Sequence, residues 1–165
     1  MQTNTPADAS LPPALSRLEH LSDAELLDGT RRLVGRSNQL RAELLIHLGE
    51  VEARGIHRTR ACSSLYTYCI YELRFSEDEA FRRVAAARLV RRFPALLDAL
   101  ASGELHLTGL LMLGPHLTEG NLVEVLARAK HRTKRELARL VRILDHPACA
   151  ADCAPAAAKP GTGQF

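Results

Sequence analysis

One segment limits the choice of fold more than any other: SDAELLDGTRRLVGRSNQLRAELLIHLGEVEARG, residues 22–55. Plotted as a helix, Leu26, Leu33, Leu40, Leu44, Leu48 and Val51 fall within an arc of about 80°. Ser22 and Glu25 have the S-x-x-E spacing of a capping box. Gly55 supplies the residue that favours the left-handed turn after a helix end. The segment predicts one helix of roughly 30 residues, about 45 Å long. A stripe that long needs a partner, either the rest of the fold or a second copy. Thr30, Ser37 and His47 share or flank it, so the seam is not a pure coiled coil. His47 reads as a hydrogen-bonded histidine at the edge of the core.

The remaining segments continue in helices. Leu65, Cys69 and Leu73 repeat every four residues in a helix from about Ser64 to Leu73. Ser76 and Glu79 space a second capping box, before a helix that reaches Arg92. Pro94 opens PALLDALAS, which stops at Gly103. LHLTGLLML, residues 105–113, reads as a short buried helix ended by Gly114-Pro115. Thr118 or Glu119 opens NLVEVLARAKH, and Thr133 with Glu136 spaces a third box before LARLVRILD. No segment alternates with period two between turn signals. The expected fold is all-α, a single domain of seven or eight helices over 13–145 with one long N-terminal helix. A disordered leader at 1–12 and a disordered Ala/Pro-rich tail at 146–165 flank it.

Charge is distributed unevenly. Residues 1–75 hold nine Lys/Arg and nine Asp/Glu, while residues 76–147 hold twelve and nine. Within 128–142 there are seven basic residues and one acid, Glu136. Leu137, Leu140, Val141 and Leu144 mark the apolar face of the last helix. Arg135, Arg139 and Arg142 lie opposite, within an arc of about 60°. With Arg132 and Lys134 this row has the spacing to track phosphates, although most arginine rows are solvated faces. Arg88, Arg91 and Arg92 form a second patch, within an arc of about 100°; it can reach a DNA backbone or pair with acids of the long helix.

The stretch YELRFSEDEAFRRV has the outline of a helix-turn-helix. Leu73, Phe75, Ala80 and Val84 are placed to pack its two helices. Against DNA reading, Arg74 stands where such turns often use glycine. The first turn of the second helix carries Glu77, Asp78 and Glu79, which would face phosphates. A structural helix is the better reading.

No enzyme motif emerges. There is no phosphate loop, no H-E-x-x-H and no nucleophile elbow. Asn121 to His131 resembles the last piece of an HNH nuclease motif, but the preceding segment is helix and turn, with His116 its nearest histidine. Cys62 and Cys69 read as small core residues. His146, Cys149 and Cys153 lack a fourth ligand for zinc. The expectation is no catalytic residue, no metal and no cofactor. With no run of eighteen apolar residues and no signal peptide, the chain is expected to be cytoplasmic, its thiols reduced, without a membrane partner.

The order of motifs adds one thing. LSDAELL, RAELLIHLGEVEARGIH, the run from Ser63 to Asn121 with ARLVRRFPALLDALASGELHLTGL, and LARAKHRTKRELARLVRIL together resemble the N-terminal helical region of a family of bacterial HNH endonucleases. The resemblance covers about Leu21 to Leu144. It implies a non-catalytic helical region placed ahead of a nuclease domain that holds the catalytic and metal residues. In this chain the composition changes after Leu144, so the expectation is a form truncated before that domain; a frameshift near codon 145 would account for the change. The expected partner is DNA, bound through its backbone without sequence preference. The alternative is a structural protein with no nucleic-acid role, a homodimer through helix 23–54 with Leu26, Leu33, Leu40 and Leu44 at the seam.

Overall fold

The computed structural model describes residues 18–145. The expected leader at 1–12 and tail at 146–165, with His146, Cys149 and Cys153, lie outside them. The described residues form eight α-helices, one 3₁₀ turn and no strand. Contacts divide the chain into two units, residues 1–37 and 38–165. The first helix crosses this boundary, within the span expected to be one domain.

Helix α1 is Asp23–Ala53. At its start the Ser22 backbone N–H donates to Glu25 Oε2 at 2.9 Å, and the Glu25 N–H donates to Ser22 Oγ at 3.3 Å. This closes the box expected from the spacing. Its end turns at Gly55, with φ 65°. In the first unit no residue from 18 to 37 is buried. In the second unit, α1 buries Ala42, Leu45, Leu48 and Gly49.

Seven helices follow. They are α2 (Ile56–Thr59), α3 (Leu65–Tyr71), α4 (Glu77–Arg92), α5 (Leu96–Ala101), α6 (Leu107–Leu113), α7 (Leu122–Ala129) and α8 (Lys134–Asp145). The 3₁₀ turn, Gly114–His116, separates α6 from α7. Helix α6 is the hub, packing against α4 on one side and α8 on the other. Leu110 and Leu113 on α6, Leu137 on α8 and Ala80, Val84 and Ala87 on α4 are all buried. Small residues set the spacing. A Cβ added at Gly109 would sit 2.6 Å from Leu137 Cδ1 and 2.9 Å from Leu105 Cδ1, so any larger residue there would have to displace those side-chain ends.

Two helix boundaries and one cap differ from the sequence expectation. Helix α3 ends at Tyr71, because Arg74 turns the chain with φ 60° and Phe75 donates to the Cys69 carbonyl at 3.1 Å. Helix α7 starts at Leu122, because Thr118 and Asn121 first close a turn of their own. The Thr118 N–H donates to Asn121 Oδ1 at 2.8 Å. The box at Ser76 is half made: Ser76 Oγ accepts from the Glu79 N–H at 3.3 Å, while the Glu79 carboxylate pairs with Arg83. No described helix is long and apolar enough to cross a membrane.

Candidate nucleic-acid interface

Helix α8 owes its placement to its apolar face and its first turn. Leu137 and Leu140 are buried, and Val141 and Leu144 pack against the core. The Thr133 N–H donates to Glu136 Oε2 at 2.8 Å, and the Glu136 N–H donates to Thr133 Oγ1 at 3.4 Å. The Thr133 backbone bond, helped by its hydroxyl and by Arg132, holds the Glu136 carboxyl at about 2, well below its ordinary value. The helix is thus pinned at its start and along one side. Arg135, Arg139 and Arg142 are consequently left on the exposed side, as the periodicity predicts.

The basic residues of 128–142 separate into two groups. Arg128 pairs with Glu124 at 3.4 Å, Arg132 with Glu136 at 2.9 Å, and Lys130 with Glu104. Lys134, Arg135, Arg139 and Arg142 are exposed and have no carboxylate at ion-pair distance among the described residues. Beside them a groove of about 310 Å³ is lined by Arg128, Arg132, Glu136, Arg139, Leu140 and Ile143. Three guanidinium groups border it against one carboxylate, so it favours anions.

The second patch is differently placed. Arg88 straddles Glu52 of α1, with Nη2 at 2.5 Å and Nε at 3.1 Å from its oxygens. Its hydrogen bonds hold the Glu52 carboxyl below the ordinary range. Arg91 donates to the Gly49 carbonyl at 3.3 Å and lies 3.5 Å from Glu50. The Arg92 guanidinium lies 4.8 Å from the centre of the Phe93 ring. Of the two uses open to this patch, pairing with the long helix is the one that Arg88 and Arg91 take.

The helix-turn-helix outline has its packing. Ala80 and Val84 are buried, with Leu73 and Phe75 against them in the core. Arg74 adopts the left-handed conformation that the turn requires without being glycine. Two of the three carboxylates opening α4 are engaged within their own helix: Asp78 pairs with Arg82 at 2.7 Å, and Glu79 pairs with Arg83. Arg83 in turn lies 4.2 Å from the Phe75 ring centre. These contacts fit a structural helix.

The HNH-like stretch has structural employment too. The Asn121 side chain donates to the His116 carbonyl at 2.9 Å and accepts from Thr118. His131, two residues past the end of α7, turns the chain with φ 56°, its N–H donating to the Glu104 carbonyl at 2.8 Å. His116 Nδ1 lies 2.8 Å from an Asp145 carboxylate oxygen. Among the described residues no group of three or more His, Cys, Asp or Glu side chains is placed to hold a metal.

Cys62 and Cys69 are buried, and burial pushes the Cys69 thiol up to about 11. Such a thiol is a poor nucleophile at neutral pH. His47 is hydrogen-bonded as expected, Nδ1 to the Glu43 carbonyl at 2.8 Å, but exposed. Two histidines escaped the sequence reading. His106 caps α6 by accepting from the Gly109 N–H at 2.8 Å. His57 is buried, with no hydrogen-bond partner for Nδ1 among the described residues. Neither had a local signal, since histidine is an uncommon cap and burial at α2 depends on distant helices.

The proposed seam residues have two fates. Leu26, Leu33 and Leu40 are exposed, Leu33 at 65% and Leu40 at 62%, while Leu44 packs partly against the core. Compared with family models, curated proteins and solved structures, the chain matches none.

Proposed function

We propose that the chain is a non-catalytic helical module that binds nucleic-acid backbone without sequence preference through the exposed row of α8. The observation that carries this is the unpaired state of Arg135, Arg139 and Arg142, on a helix anchored along its other side. Phosphate contacts need positive charge at a suitable spacing and no base readout. Arg135 and Arg142 are seven positions apart, about 10 Å along the helix axis. The resemblance to the helical region of HNH endonucleases supports the setting, in which a neighbouring nuclease domain does the chemistry and this region holds substrate.

The test is duplex binding followed by fluorescence anisotropy across a salt series. Replacing Arg135, Arg139 and Arg142 by Ala should reduce the slope of log affinity against log salt by roughly 0.9 for each phosphate no longer neutralised. Binding with an unchanged slope, or no binding by the parent chain, overturns the assignment.

A second reading is a structural module that pairs through α1. The exposed leucines favour it, since an apolar line of this length on water is unusual for a chain with no partner.

A further inference from the structure

Helix α1 carries a long apolar stripe, and the core uses its later part. Leu48 is buried together with Ala42, Leu45 and Gly49, and Leu44 and Val51 pack partly against the core. Leu26, Leu33 and Leu40, earlier on the same stripe, are exposed.

The line has a heptad repeat with a size alternation. Leu26, Leu33 and Leu40 are spaced by seven, with Thr30, Ser37 and Leu44 four positions after each. Resting on the second reading above, we infer that α1 pairs with α1 of a second copy, antiparallel, about a two-fold axis level with residue 35. In that register each seam residue faces the one whose number completes 70, and the residues flanking the seam on its Gly29 and Arg36 side pair at numbers that complete 72. Leu33 then meets Ser37 of the second copy, Leu40 meets Thr30, and Leu26 meets Leu44. Large side chains lie over small ones through the middle of the seam, which lets the backbones approach and the layers interdigitate.

Charge selects the direction. At each end Asp23 faces His47 of the second copy, and both are exposed. Glu43 of the second copy arrives across Gly29, three residues from Arg32. A parallel pair would instead set Asp23 against Asp23 and bring Arg36 beside Arg41 of the other helix, twice. The antiparallel pair keeps a single like-charge contact, Arg36 with Arg36 near the axis. Among the described residues neither Arg36 nor Arg41 has a carboxylate partner to relieve that repulsion; Arg41 donates only to Asn38, at 3.2 Å. Opposed helix dipoles also favour the antiparallel arrangement.

Sedimentation equilibrium of the full chain tests the pairing, and crosslinking tests its direction. A concentration-dependent dimer is expected, and Leu33→Glu should raise its dissociation constant by about tenfold or more. Leu33 is exposed, so that variant should melt as the parent monomer does; Leu33→Ala supplies a milder version of the same change. A parent chain that stays monomeric overturns both the pairing and the reading beneath it. A dimer indifferent to both Leu33 changes overturns this seam.

For direction, Thr30→Cys and Leu40→Cys are placed singly and together in a Cys149→Ser, Cys153→Ser chain, leaving only the buried native cysteines. In the antiparallel register positions 30 and 40 face each other, while two copies of position 40 lie about 15 Å apart, beyond disulfide reach. Disulfide dimers from the paired variant and from neither single one are expected. A disulfide dimer from Leu40→Cys alone overturns the register and leaves self-association standing.

Discussion

Two arginine rows in this molecule have the same composition and different surroundings. On α4, Arg88 and Arg91 reach 36 and 41 positions back along the chain to Glu52 and Glu50. On α8, Arg135, Arg139 and Arg142 reach no carboxylate among the described residues. The acids on α8 itself are already engaged. Glu136 is held by Thr133 and Arg132, and Asp145 by His116. An arginine is available to a phosphate only when its local acids are committed elsewhere, and Arg135, Arg139 and Arg142 meet that condition where Arg88 and Arg91 do not.

The largest expected effect removes the anchor that makes α8 a platform. Leu137 is fully buried against α6, so Leu137→Ala should cost roughly 2–5 kcal/mol of stability, from the forfeited transfer energy plus the cavity left behind. Thermal or urea unfolding measures it. The same truncation at Leu33 should cost well under 1 kcal/mol of monomer stability, because that side chain is exposed. Similar losses at the two leucines would mean that the exposed line of α1 is packed after all.

The next effect compares the rows directly. Arg88→Ala with Arg91→Ala should leave the salt slope of duplex binding within about half a unit of the parent, since neither guanidinium is free to replace a counterion. A fall as large as that expected for the α8 triple variant would erase the distinction between the rows. In the other direction, Glu136→Gln releases Arg132 from its pair and should steepen the slope by about one phosphate's worth. An unchanged slope there would place Arg132 outside the binding face.

Much of this was legible in the sequence, because the signals were local. The boxes at Ser22 and Thr133, the leucine periodicity of α8 and the stop at Gly55 each lie within a few residues and need no tertiary partner. The unread features are those settled at a distance. Arg74 and His131 take left-handed conformations without glycine, His131 because its N–H finds the Glu104 carbonyl on another segment. The box at Ser64 was missed because its third position is Thr67, whose hydroxyl accepts from the Ser64 N–H where a Glu or Gln would be looked for. The stripe of α1 was read correctly as apolar. Periodicity, however, cannot say that its start faces water while Leu48 faces the core, because burial depends on which helices arrive.

The smallest effect distinguishes the rows through pH. The Glu52 carboxyl lies below its ordinary value because Arg88 is bonded to it. Its folded form therefore binds a proton less readily than its unfolded form. The resulting stability is present above the ordinary value of 4.5 and is lost as pH falls through the depressed folded value. Solvent screens this partly exposed pair, so Arg88→Ala should cost only about 0.5 kcal/mol at neutral pH. The gap between parent and variant unfolding curves should close as Glu52 protonates below 4.5. On α8 the corresponding acid is Glu136, held at about 2 chiefly by Thr133. Arg139→Ala leaves that cap intact, so its stability difference from the parent should be near zero at neutral pH and stay flat through the acid range. A gap at Arg139 that closes between 4.5 and 2, as the Arg88 gap should below 4.5, would show Arg139 paired with an acid and remove it from the free row.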